Sequence, residues 1–355
     1  MRRFLLTLLL LVLVLSTGAG LFGRVVYGRL TDPFKGYTAA EQFVDLPPGS
    51  STAEIGRRLV AGGVVRDAVI FRVAVWWTGA ARRLKAGEYR FDEPLTAPQV
   101  VEKIARGEVF VRLITFPEGH TVLEMAKIWE SKGFGPAPAF VEAARQAALV
   151  TDLDPAARDL EGYLFPDTYA LPRGTSAATL VETMVHRFRA NFGPDLQRAA
   201  AAQGMSVRQA VTMASLVEKE TAKGDERPVV AAVYRNRSKI GMPMQADPTV
   251  IYALAKAGRY DGNIHKADLQ FDSPYNTYRY PGLPPGPIAS PGRASLDAAV
   301  HPAAVDFLYF VSRNDGSHVF ARTLDEHNRN VRRFQVLFFR EQRLRGQSAP
   351  GAGRR

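Results

Sequence analysis

The sequence predicts an α+β fold behind an N-terminal apolar helix, and three observations predict it. Nineteen positions without a charge, Phe4 to Phe22, follow Met1-Arg2-Arg3. A strand–turn–helix pattern then occurs twice, seventy positions apart. From residue 158 the texture becomes mainly helical, interrupted by a loop from Asp272 to Arg293 that is dense in Pro, Gly, Tyr and Asn.

The apolar run comes first. It is close to the length that spans a bilayer as a helix. The two arginines before it favour a cytoplasmic N-terminus with the rest of the chain exported. A cleaved signal peptide is the alternative, with Thr17-Gly18-Ala19 as a small-residue cleavage site. Residues 1–30 are read as anchor and linker, with linker character running through 23–40.

Composition narrows the classes. At 355 residues the chain exceeds one ordinary domain, and 46% hydrophobic with 23% charged residues is enough to bury a core. There is no cysteine, so disulfides, thiolate metal sites and a cysteine nucleophile are excluded. The net charge of +11 attracts polyanions. For an exported chain these are an anionic membrane surface or cell wall, and no nucleic acid is expected. No phosphate-binding Gly-Lys-Ser/Thr loop is present.

The repeat pairs Pro47-Pro48-Gly49-Ser50-Ser51-Thr52-Ala53-Glu54-Ile55-Gly56 with Pro117-Glu118-Gly119-His120-Thr121-Val122-Leu123-Glu124-Met125-Ala126. Each copy follows a strand candidate, Phe43–Leu46 or Val111–Phe116. Each has Ser or Thr with Glu three residues on, a capping box that opens a helix. Each helix stops near glycine, Gly62-Gly63 or Gly133. Between the copies, Gly87–Phe91 reads as a strand and Ala97–Arg106 as a helix closed by Gly107. A small α/β module over residues 41–110 follows, then a larger mixed α+β domain over 111–340. Residues 341–355 form a basic tail with frayed character.

In the larger domain, helices are expected at Ala177–Asn191, Ser206–Thr221 and Val229–Ile240. A hairpin, Phe307–Val311 with His318–Ala321, is expected around Asn314-Asp315-Gly316-Ser317. On the helix that starts at Ser206, Val207, Val211 and Ala214 share one side, and Glu218 falls beside them. Desolvation there favours the protonated carboxyl, which suits a general acid. Glu220 lies about 200° away, near Met213 and Leu216. Periodicity does not choose between the two. Either carboxylate could instead simply pair with a cation such as Lys219 or Arg227.

Other chemistries lack their residues. There is no His-Glu-x-x-His motif and no ligand spacing among the six histidines, so no metal and no cofactor is expected. There is no Gly-x-Ser-x-Gly elbow. His318 and His327 read as ordinary surface or hairpin residues. What remains is carboxylate and amide chemistry beside aromatic loops, which suits a sugar substrate.

Five blocks then carry a family resemblance: Leu160-Glu161-Gly162-Tyr163-Leu164-Phe165-Pro166-Asp167-Thr168-Tyr169; Ala214-Ser215-Leu216-Val217-Glu218-Lys219-Glu220; Gly241-Met242-Pro243-Met244-Gln245-Ala246-Asp247-Pro248-Thr249-Val250; Ser273-Pro274-Tyr275-Asn276-Thr277-Tyr278 with Gly282-Leu283-Pro284-Pro285-Gly286-Pro287-Ile288; and Glu326-His327-Asn328. In this order they resemble the endolytic murein transglycosylases, the YceG-like or MltG family. The sequence departs from the usual pattern at Met244, Ala246 and Ser290, where the family often has Leu, Ser and Asn.

The resemblance implies several things. Residues 41–110 would be a LysM-like module and 111–340 the catalytic domain, with a mainly helical active-site region. Glu218 would be the catalytic acid/base of a lyase that cuts the MurNAc–GlcNAc bond of nascent peptidoglycan strands and leaves 1,6-anhydro ends. Gln245, Tyr275, Asn276 and Tyr278 would contact substrate, and Glu220 and Asp247 would contact it or position Glu218; loop scaffolding is the alternative for each, since Asn and Asp in turns commonly bond their own backbone. The enzyme would sit in the inner (cytoplasmic) membrane by a single pass, its catalytic domain on the periplasmic or extracytoplasmic side, with a penicillin-binding synthase as partner. The alternatives are a muramidase, with Asp247 or Glu220 as a second carboxylate, and a non-catalytic wall-binding scaffold.

Overall fold

A computed structural model describes residues 2–338 and 340, with side chains from Leu9 onward. The basic tail, 341–355, lies outside the described residues. The chain divides into two compact units, one of residues 1–113 with 170–174, the other of 114–169 with 175–355. The described part is mixed α+β, as expected.

The first unit opens with α1 (Arg2–Thr31). Its segment Leu9–Thr31 is long and apolar enough to cross a membrane, and a signal sequence would pass the same test. The linker expected at 23–40 is helical as far as Thr31. Pro33 then ends the helix, because proline disfavours helical geometry in the residue before it. The last turn of α1 is part of the unit's core: Leu30 is buried and Val26 packs against it.

β1 (Gln42–Leu46), α2 (Thr52–Ala61), α3 (Ala68–Trp77), β2 (Gly87–Phe91) and α4 (Ala97–Arg106) complete this unit. β1 and β2 pair antiparallel, from Gln42 opposite Phe91 to Leu46 opposite Gly87. Leu46, Leu59, Phe71, Tyr89, Val100 and Ile104 are buried beneath them. The buried Tyr89 hydroxyl donates to the carbonyls of Lys85 and Ile104, so its polar end is satisfied. Gly107 caps α4 in the left-handed conformation, as its position predicts. The capping box expected at Ser51 is half made. Ser51 accepts from the Glu54 N–H, but the Glu54 carboxylate turns to Arg57 and Arg58.

The chain passes between units within β3 (Val111–Thr115) and later within β4 (Thr168–Pro172), which pair with each other. The second unit adds α5 (Val122–Ser131), α6 (Ala137–Ala143), α7 (Ala177–Asn191), α8 (Pro194–Ala202), α9 (Val207–Glu220), α10 (Arg227–Lys239), α11 (Asp247–Lys256) and α12 (Arg293–Val300). It closes with β5 (Tyr309–Ser312), β6 (His318–Ala321) and α13 (Leu324–Val331). Here the capping boxes are complete at Thr121/Glu124 and Ser206/Gln209.

α9 is the axis of this unit. Every residue from Ala210 to Val217 is buried, and α8, α10, α11 and α12 pack around it. A helix apolar on all sides belongs inside. Only its ends reach polar surroundings, and Glu218 and Glu220 occupy the C-terminal one.

Candidate active site

Two carboxylates in the last turn of a helix oppose its dipole, whose negative end lies there. Such a placement needs compensation, and the structure supplies it to each carboxylate differently.

Glu218 is nearly enclosed, its side chain 6% exposed. Its Oε1 accepts from Arg227 Nη2 at 3.2 Å, at the start of α10. Its Oε2 accepts from the backbone N–H of Gly292 at 3.0 Å, at the N-terminus of α12. The neighbouring Lys219 does not pair with it, donating instead to the carbonyl of Gly119. The burial expected from periodicity is thus present, and so is the ion pair with Arg227.

A second carboxyl stands at the same place. Glu118 Oε2 is 3.7 Å from the same Arg227 Nη2. A Cβ on residue 292 would sit 1.9 Å from Glu118 Oε1, so a side chain there would displace this carboxyl from its present position. Two backbone bonds fix the loop that carries it: Gly119 N–H to Ser290 O, and Ser290 N–H to His120 O, each 2.9 Å. Burial, and the charge of Glu218 beside it, hold the Glu118 carboxyl above the ordinary carboxylate range, with Arg227 opposing them. Arg227 Nε is buried without a hydrogen-bond partner.

Glu220 faces elsewhere. With Gln245, Asp247, Tyr278, Arg237, Met244, Phe310 and His327 it lines a cavity of about 220 Å³. Tyr234 donates to Glu220 at 3.0 Å, and Tyr278 donates to Asp247 at 2.6 Å. Burial raises the proton affinity of Glu220, partly offset by the Tyr234 hydrogen bond. Gln245 takes φ +50°, a conformation rare outside glycine that costs about 1–3 kcal/mol and collects at ligand-binding places. His327 stacks on Tyr309, and its Nδ1 is buried without a partner. Burial and Arg237 lower its proton affinity, so it is held neutral.

The structure therefore sorts the expected site residues into groups. Glu220, Gln245, Asp247 and Tyr278 meet in one cavity. Glu218 stands apart from them, on the other side of the end of α9. Asn276 is fully buried. Its amide N donates to the carbonyls of Leu269 and Phe271, and its Oδ1 accepts from the Tyr278 N–H, so it holds the loop. Tyr275 packs on Tyr252, ring centres 4.9 Å apart. Among the described residues no cluster of His, Asp and Glu is arranged to hold a metal.

Glu118, Arg237 and the inward face of His327 went unforeseen. Glu118 had a signal: where the first repeat copy has Pro47-Pro48-Gly49, the second has Pro117-Glu118-Gly119. A repeat that is only architectural gives no reason to place a carboxylate there.

Residues 44–333 match the YceG-like family. The chain belongs to that family. Among relatives of this YceG-like protein, the endolytic murein transglycosylase of Bacillus subtilis is 31% identical over 324 residues, covering 86% of this chain and 89% of the relative. The Streptococcus pneumoniae endolytic murein transglycosylase (serotype 2, strain D39) is 30% identical over 93% of this chain and 65% of its own length. A solved YceG-like protein from Listeria monocytogenes aligns with a TM-score of 0.56 at 32% identity, covering 82% of this chain and 98% of that one.

Proposed function

We propose that this YceG-like protein is a lytic transglycosylase that cuts peptidoglycan strands internally between N-acetylmuramic acid and N-acetylglucosamine. The observation that carries the reading is Glu218: an enclosed carboxyl at the end of a buried helix, gripped from two sides, in a family whose named relatives are murein transglycosylases.

In this mechanism one carboxyl acts twice. Protonated Glu218 donates its proton to the glycosidic oxygen as the C1–O bond breaks and positive charge develops at C1. The departing N-acetylglucosamine takes that proton as its new hydroxyl. The Glu218 carboxylate, held by Arg227 and the Gly292 N–H, then accepts the proton of the muramoyl C6 hydroxyl. The C6 oxygen closes onto C1, and Glu218 is protonated again. No water is consumed, and no second catalytic carboxylate is required, unlike the usual glycosidase pair.

Glu220, Gln245, Asp247 and Tyr278 would grip sugar hydroxyls and acetamido groups from their cavity. Asn276 would act through the loop that it holds, and Tyr275 from beside Tyr252. α1 would anchor the enzyme in the cytoplasmic membrane with the rest of the chain outside, and the 41–110 module would act as a LysM-like glycan reader. Cleavage close to the membrane would end the elongation of nascent strands, which makes a penicillin-binding synthase the fitting partner.

Mass analysis of the products tests the reaction. A lytic cut leaves a 1,6-anhydro end lighter by one water. Reducing ends would instead mean hydrolysis, and intact strands with binding retained would mean a scaffold.

One observation favours a second assignment of the acid. Glu220, not Glu218, shares its cavity with three other residues expected to contact substrate, and burial favours its protonated form. Comparing the two glutamine variants separates these assignments.

A further inference from the structure

Glu161 belongs to the first family-like block, yet the mechanism above leaves it unused. It is a buried carboxyl, 7% exposed, in the wall of a cavity of about 310 Å³. Val122 N–H donates to it at 3.1 Å, and the Tyr252 hydroxyl reaches it at 3.4 Å. Burial pushes its proton affinity up to about 8, so near neutral pH it is largely an O–H donor. Val141, Ala144 and Ala255 give the cavity an aliphatic side. At the other side the Lys256 ammonium lies 5.4 Å from the Tyr252 ring centre and 5.3 Å from that of Tyr275, with Asp159 at 3.9 Å. Tyr275, expected from sequence to touch substrate, thus stands here and not beside Glu218.

Such a lining suits neither a sugar ring alone nor a lipid. It offers small aliphatic walls, neutral hydrogen-bonding groups, two cations, Arg145 and Lys256, and one anion, Asp159. Its volume is at the small end of ligand cavities, which run from about 300 to 1,000 Å³. A short peptide of small residues, carrying both a carboxylate and an amine, has the matching chemistry.

Position agrees. Thr121 and Val122 line this cavity, and Glu118 beside Glu218 is three residues before Thr121 on the same loop. Three residues of chain put the Cα atoms of Glu118 and Thr121 at most about 11 Å apart. A substituent on the muramoyl sugar being cut could reach across that distance.

We infer that this cavity binds the peptide stem carried by the muramoyl residue at the cleavage point. The inference rests on the reading of the protein as a peptidoglycan-cleaving enzyme. Lys256 meets a stem carboxylate, Asp159 a stem amine, and the aliphatic side the alanyl methyl groups. The enzyme would thereby prefer strands that still bear peptides.

The test compares two substrates with the full chain in detergent: glycan strands bearing peptides, and the same strands stripped of peptides by an amidase. Two variants alter the cavity, Lys256→Ala at its rim and Val141→Trp to fill it. The expected result is that wild type cuts peptide-bearing strands with a kcat/KM at least tenfold above stripped ones. Each variant should lose that advantage through KM, with little change on stripped strands. Equal losses on both substrates, or none on either, would overturn the inference. Calorimetry with a free synthetic stem tetrapeptide gives a readout that needs no turnover. Binding by wild type that is lost in Val141→Trp supports the cavity, and absence of binding by wild type counts against it. If wild type cut neither strand, the reaction reading would fail while this binding measurement still decided the cavity.

Discussion

Arg227 Nη2 lies 3.2 Å from Glu218 Oε1, and both side chains are largely withdrawn from solvent, at 13% and 6% exposure. A guanidinium so placed positions the carboxylate and balances the charge that appears when it gives up its proton. Removing one partner of an enclosed pair leaves the other uncompensated. Arg227→Gln is expected to lower kcat by about 10²–10³-fold, as for loss of a preorganised charge-stabilising donor. Steady-state turnover on purified strands measures this, with circular dichroism to confirm the fold.

The close approach at Gly292 makes a sharper prediction. Gly292→Ala would put a methyl carbon 1.9 Å from the present position of Glu118 Oε1. Glu118 must then swing away from Arg227. We expect at least a tenfold loss in kcat/KM. If displacement of Glu118 is the cause, the Glu118→Ala/Gly292→Ala double variant should be no worse than Gly292→Ala. That non-additivity is read from a double-mutant cycle.

Glu161 predicts a pH-dependent stability. Folding raises its proton affinity from the ordinary 4.5 to about 8. Its contribution is therefore fully present below about pH 4.5 and is lost as pH climbs through about 8. Urea unfolding at pH 6 and pH 9 should show a larger loss at pH 9 for wild type than for Glu161→Gln, by a few kcal/mol at most. Equal losses would mean that Glu161 is ionised in the fold throughout.

The end of α1 is expected to stabilise the first unit as well as anchor it. Leu30 is 2% exposed within that core. Leu30→Ala should cost about 2–5 kcal/mol. Hydrogen exchange at the buried amides of Phe71 and Val100 would register the loss, whereas a helix that only anchors would leave them unchanged.

Much of this organisation was legible in the sequence because it is local. Ser206 and Gln209 announce the start of α9, Gly107 the end of α4, and the apolar alternation of Gly87–Phe91 its strand. The helix phase of Glu218 gave its burial. The small helices α6, α8 and α12 carry weaker signals, since Pro136, Gly193 and Gly292 at their N-caps make no side-chain hydrogen bond. The site itself was harder to read. Arg227, nine residues on, was a candidate cation from the sequence, but Glu118 meets Glu218 from far off in the chain and no periodicity links them. Asn276 shows the reverse case. Its residue type suits an amide that grips sugar, but the loop occupies both its amide hydrogens and its oxygen accepts from the Tyr278 N–H.

In the proposed reaction Glu218 carries the proton. The most direct measurement digests purified glycan strands with wild type, Glu218→Gln and Glu220→Gln, each shown to be folded, with product ends identified by mass spectrometry. Wild type is expected to give 1,6-anhydro ends, Glu218→Gln none above background, and Glu220→Gln reduced but detectable anhydro ends. Undiminished cleavage by Glu218→Gln, with Glu220→Gln inactive, would contradict this role for Glu218 and move the chemistry to the cavity on the other side of the helix.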